Sequence, residues 1–162
     1  MSRKKKDKSI LPWLVAALAL ILVFVAILSM GVLNNTKFRH FKEDLQADVE
    51  YARNGGSVEY AVNGTVQPAT FRTPDAILFA LSEASAGKRF KGEPAEEKNN
   101  LSVDFGNGDH ILIQSVSIRD GDGNFSPGIL VIYTGSNGKT YAYDTDRITM
   151  NKIKLYIDQF EK

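Results

Sequence analysis

The sequence predicts an α+β protein in which an N-terminal transmembrane helix precedes one domain, an antiparallel β-meander sheet packed by helices. Three observations lead there. An uncharged apolar run occupies residues 10–33, segments of helical spacing punctuate the rest, and the last third alternates apolar and polar residues between glycine-rich turns. The expected element order is α-β-β-α-β-β-β-β-α. The expected division is a basic cytoplasmic tail at 1–9, a transmembrane anchor at 10–33 and an extracytoplasmic α+β domain at 34–162.

The expected anchor comes first in the chain. From Ile10 to Met30 only Pro12 and Ser29 interrupt an apolar run, which continues through Gly31 to Leu33 without a charge. At about 1.5 Å of rise per residue the run matches a hydrocarbon core of roughly 30 Å with some tilt. Pro12 falls in the first turn, where its missing N–H is no loss. Trp13 then sits at the expected headgroup level. Arg3, Lys4, Lys5, Lys6 and Lys8 precede the run against Asp7 alone, so the positive-inside rule predicts a cytoplasmic N-terminus. The run exceeds the 7–15 residues usual for the apolar part of a cleaved signal peptide, which favours an uncleaved signal-anchor. The lipid bilayer is thus the first expected partner, through residues 10–33, and the expected localisation is a single-pass cell-membrane protein.

The chain has no Cys, so an exported domain would lack disulfides and depend on its core, which points to a bacterial cell envelope. The Asn-x-Ser/Thr triplets at Asn34, Asn63, Asn100 and Asn124 read there as chance. Beyond residue 33 the formal charge of +1 for the whole chain becomes −3. A mildly acidic domain with no basic patch interleaved with aromatics is not expected to bind nucleic acid.

After the anchor, Phe38, Phe41, Leu45, Val49 and Ala52 recur at spacings of three and four, as in an amphipathic helix that ends at Asn54-Gly55-Gly56. Charged residues fill its gaps. Val58, Tyr60 and Val62 alternate and Thr65-Val66 resumes after Asn63-Gly64, the dipeptide that suits a type I′ hairpin turn. Thr73-Pro74-Asp75 reads as N-cap, N1 and N2 of a helix with Ile77, Leu78, Leu81 and Ala84 on its apolar face and a stop at Gly87. Lys88 to Asn100 holds dense charge with Gly92 and Pro94, and is expected to be an exposed loop.

Four strands then follow: Leu101–Phe105, His110–Arg119, Ile129–Thr134 and Lys139–Asp144. They are joined by Gly106-Asn107-Gly108, a loop at Asp120–Gly128, and Gly135-Ser136-Asn137-Gly138. Thr145 or Asp146 is expected to cap a last helix with Met150, Ile153, Ile157 and Phe160 on one side. The order of elements resembles that of small anchored or lipidated proteins of Gram-positive envelopes in architecture only, and this carries no active residue across.

Candidate chemistry is sparse. Asp120, Asp122 and Asn124 place oxygen ligands at alternating positions, as in the first half of an EF-hand loop, and are the metal candidates. The match breaks down beyond them, since Phe125 stands where the loop needs Gly and Val131 where it needs the bidentate Glu. His40 and His110 have no nucleophile elbow to serve, and Glu96-Glu97 and Asp144/Asp146 lie outside any expected cleft. Tyr141 and Tyr143 share a strand face, suited either to core packing or to a small aromatic surface. No catalytic residue and no cofactor are expected. The first functional expectation is a membrane-anchored bacterial envelope protein serving as a non-enzymatic interaction or accessory module, with a protein partner in the envelope. The alternatives are an extracytoplasmic small-molecule or Ca²⁺ sensor, and a surface hydrolase.

Overall fold

In a computed structural model of the chain, the described residues are 11–84, 88–89, 99–119 and 122–162. One helix, α1 (Leu11–Arg53), runs unbroken through the expected junction at residue 33. Its second half carries the predicted stripe: Phe38, Phe41, Leu45, Val49 and Ala52 are all buried. Its first half projects side chains away from that core, with Val15, Leu18 and the large residues between Leu20 and Ile27 at 55–71% exposure. The helix ends where Asn54-Gly55-Gly56 requires, with Gly55 at φ +90° and the Gly56 N–H bonded to the Tyr51 carbonyl.

The expected transmembrane anchor at 10–33 needs correction. Among the described residues, no helix is long and apolar enough to cross a membrane. A span needs about 20 consecutive apolar residues. The signal-anchor and the single-pass cell-membrane localisation, with its cytoplasmic N-terminus and extracytoplasmic domain, are therefore overturned, and the envelope assignment that rested on them goes with them. The basic tail at 1–9 lies outside the described residues.

The remaining elements, in chain order, are β1 (Val58–Val62), β2 (Thr65–Gln67), α2 (Arg72–Glu83), β3 (Lys88–Arg89), β4 (Asn100–Phe105), β5 (His110–Arg119), β6 (Phe125–Thr134), β7 (Thr140–Thr145) and α3 (Met150–Phe160). The fold is α+β, as predicted. Six strands form the body of an antiparallel sheet of order β2-β1-β4-β5-β6-β7, and the two-residue β3 pairs at the β7 edge. β3 falls within the 88–100 segment expected to be a loop, and Asn100 at its far end already belongs to β4, while 90–98 lie outside the described residues, as does the expected stop at Gly87.

The predicted meander keeps its order, and register places its apolar residues in rows. Leu101, Ile113, Val131 and Tyr143 are successive cross-strand partners, as are Val103, Ile111, Tyr133 and Tyr141. These rows, with Phe41 and Leu45 of α1, Ile77 and Leu81 of α2 and Ile153 and Ile157 of α3, make one core on one face of the sheet. β6 begins at Phe125, earlier than Ile129. Pro127 is accommodated because that end of β6 pairs with β5 alone, so its missing N–H breaks no ladder bond on the open side.

The helix starts differ from the sequence reading. α2 begins at Arg72, and its expected cap Thr73 is fully buried, donating its hydroxyl to Glu161 beyond α3 at 2.6 Å. A long-range acceptor has replaced the local one, and Thr70 joins the same carboxylate at 3.0 Å. α3 begins at Met150, with Thr149 as the flanking residue. The hydroxyl of Thr145 instead accepts the Arg147 N–H at 3.2 Å in a local turn.

The Asn63-Gly64 hairpin is as expected, with φ of +50° and +74°. Asn63 also has a tertiary role, because its Oδ1 accepts the Asn100 N–H at 2.9 Å. Asn63→Ala should therefore lose both its tolerance of the left-handed backbone and a cross-strand bond. We expect a loss of about 1–2 kcal/mol, read as a lower urea midpoint at unchanged m-value.

Candidate functional site

Six residues form a polar cluster where α1 meets the ends of two hairpins. Asp44 and Asp48 stand one helical turn apart on α1, beside the buried stripe, so docking that stripe carries both carboxylates to the sheet. Asp48 is 1% exposed. The Tyr133 hydroxyl on β6 donates to its Oδ2 at 2.8 Å, and the Asn107 amide from the β4–β5 turn donates to its Oδ1 at 2.8 Å. The same amide donates to Asp109 Oδ2 at 3.0 Å, and Asp109 Oδ1 takes the backbone N–H of Ser136 in the β6–β7 turn. One turn earlier, Asp44 Oδ2 accepts the Tyr141 hydroxyl at 2.9 Å and pairs with Lys139 Nζ at 3.5 Å.

Burial shapes the titration of these groups. It pushes the Asp48 carboxyl up to about 6, the facing Asp109 adding to the rise while the Asn107 and Tyr133 donors oppose it. For Asp109 burial acts upward too, but the Ser136 N–H and the hydrogen bond with Asp48 outweigh it and leave its carboxyl below the usual value. The Asn107 amide, which donates to both Asp48 and Asp109, sets the two carboxyls on either side of it. Burial, then Asp48, drives the Tyr133 phenol upward, and burial, then Asp44, pushes Tyr141 to about 12. Both phenols stay protonated as donors. The cluster joins α1 to the β4–β5 turn and to strands β6 and β7.

Sequence reasoning placed the charged residues of this helix in the gaps of the stripe and missed the cluster. A signal was present: Phe41, Asp44, Leu45, Asp48 and Ala52 fall on one helical face. Tyr141 and Tyr143, the candidate aromatic surface, lie on the core face, with ring centroids 6.0 and 5.8 Å from that of Phe41.

Of the metal candidates, Asp120 lies outside the described residues, while Asp122 and Asn124 are exposed in the β5–β6 connection. Arg119 donates from Nε to the Gly123 carbonyl at 3.4 Å and stacks on Phe125, which sets a guanidinium against that turn. Among the described residues no three His, Cys, Asp or Glu side chains group as a metal site.

His40 meets Glu43 at 3.0 Å on the exposed side of α1. His110 meets Asp104 at 2.6 Å, and the two are cross-strand partners on the sheet face away from the helices. An open recess of about 400 Å³ between the β5–β6 ladder and the start of α3 is lined by Asn99, Ser115, Ser117, Thr149 and Asn151 among others, and by no ionisable side chain. The histidines are therefore apart from it. Glu96 and Glu97 lie outside the described residues.

A smaller aromatic surface spans α2 and α3. Phe79, 45% exposed, meets Tyr156 edge-on at 5.2 Å and Phe160 at 5.7 Å. Glu83 rims it, accepting from Tyr156 at 2.7 Å and Lys152 at 3.2 Å. No protein-family model, no characterised protein and no solved structure matches the chain.

Proposed function

We propose that the chain is a non-enzymatic interaction module that presents the first half of α1 to the apolar surface of a protein partner. The observation that carries this reading is the contiguous run at residues 18–27, whose large side chains are 57–71% exposed apart from Val25 at 55%. Monomeric proteins rarely expose apolar patches beyond a few hundred Å², and a helix apolar on every side needs cover. The second half of the same helix supports the reading. Its stripe is buried in the core, and Arg53 pairs with Asp75 at the start of α2, so the exposed half is extended from a firmly seated base.

The sheet edges are poorer contact elements. β2 is three residues long and is followed by Pro68, while β3 has two residues, so neither offers a long template for strand addition.

The reading is tested with a photo-crosslinking amino acid at Phe24 in the full chain, with Glu50 on the exposed side of the seated half as control. The expected result is a discrete protein adduct from position 24, absent from position 50 and lost when Leu20 and Ile27 are changed to Ser. Adducts to lipid alone, or none, would sink the protein-partner reading.

A further inference from the structure

We propose that Asp48 is a proton-operated latch, holding α1 against the two hairpin turns when protonated and loosening that seat when ionised. Asp48 is buried, and its two oxygens receive only neutral donors, the Tyr133 hydroxyl and the Asn107 amide. From the β4–β5 turn it faces a second acid, Asp109, which competes for the same amide group. On its own helix Asp44 stands one turn away. The cation in this region, Lys139, pairs with Asp44, as does the Tyr141 hydroxyl of β7. Among the described residues no ion pair reaches Asp48, so its charge is buried beside a like charge without a counter-ion.

The two protonation states then differ in what they hold together. With one proton, the Asp48 hydroxyl can donate to Asp109, which is itself held by the Ser136 N–H, and helix, first turn and second turn form a continuous chain of hydrogen bonds. Without it, two carboxylates share the hydrogens of one amide. The folded carboxyl, at about 6, lies above the roughly 3.9 of an unfolded Asp, so the seated helix takes up a proton that the unfolded chain does not. Stability from this group is complete below about pH 4 and is lost as pH rises through about 6. The latch holds in mild acid and slackens towards neutrality. It does not depend on what covers the first half of α1.

The test is a carboxyl NMR titration of Asp48 in the full chain, together with amide-exchange protection along residues 45–53 at pH 5 and 7.5. We expect a midpoint near 6 and a fall in protection of at least tenfold at the higher pH. Asp48→Asn, which carries the neutral form, should abolish that fall. Asp109→Asn should move the Asp48 midpoint downward by removing the facing charge. A midpoint near 4, or an Asp48→Asn chain that keeps the wild-type pH dependence, overturns the proposal. Should that variant fail to fold, the wild-type midpoint and its response to Asp109→Asn still decide.

Discussion

Phe41→Ala is expected to lower stability by about 3–5 kcal/mol, the largest loss expected from a single truncation in this fold. Phe41 is 1% exposed and lies at the centre of an aromatic group, with ring centroids 5.8 Å from Phe38, 5.8 Å from Tyr133, 6.0 Å from Tyr141 and 5.8 Å from Tyr143. Its neighbours come from α1, β6 and β7, so relaxation around the cavity would have to move a helix against a sheet. The hydroxyls of Tyr133 and Tyr141 bond Asp48 and Asp44, which further limits how far those rings can collapse into the space. Urea denaturation monitored by tyrosine fluorescence and by far-ultraviolet circular dichroism checks the prediction. A loss below about 1 kcal/mol would mean that α1 is not seated as described. Separate transitions for the two signals would show that the helix detaches before the sheet melts.

Gly128→Ala is expected to cost about 2–3 kcal/mol, for a reason opposite to that of a cavity. A Cβ at this position would stand 2.5 Å from the Thr145 carbonyl oxygen and 2.5 Å from Ile118 Cδ1. The isoleucine methyl can turn away. The carbonyl cannot move without moving β7, because Thr145 is the cross-strand partner of Ile129 next to the glycine. The glycine is therefore required by close approach of two backbones, and its φ plays no part. Thermal melting checks this, and an unchanged melting temperature would refute the close approach. A Gly128→Ala chain combined with Ile118→Val should recover only the part of the loss that comes from the methyl contact.

Much of the architecture was legible because local chemistry and tertiary packing agree. Asn63-Gly64 adopts the positive φ values that its residue types favour, and the stripe from Phe38 to Ala52 is buried at the spacing read from the chain. Where the reading failed, a distant group had replaced a local one. Thr73 was read as a cap from its neighbours Pro74 and Asp75, yet its hydroxyl is taken by Glu161, 88 positions away. Residues 125–128 were read as the end of a loop, and they are strand because they pair with β5 beyond the point where β7 stops. The apolar run at residues 10–33 was the strongest compositional signal. Among the described residues, however, no helix is long and apolar enough to cross a membrane.

The candidate site was the least legible part. Its members, Asp44, Asp48, Asn107, Asp109, Tyr133 and Tyr141, come from a helix, a turn and two strands, and no spacing in the chain relates them. The sequence by itself determined that the protein is α+β, which residues face its core, and where its hairpins turn, because periodicity and turn chemistry act over a few residues. The tertiary structure alone decided that Asp48 is buried without a cation and that Thr73 bonds the chain's far end. It also decided that α1 has a seated half and an exposed half. Desolvation and hydrogen-bond partnership depend on what the rest of the chain brings alongside, and neither exists until the helix has docked on the sheet.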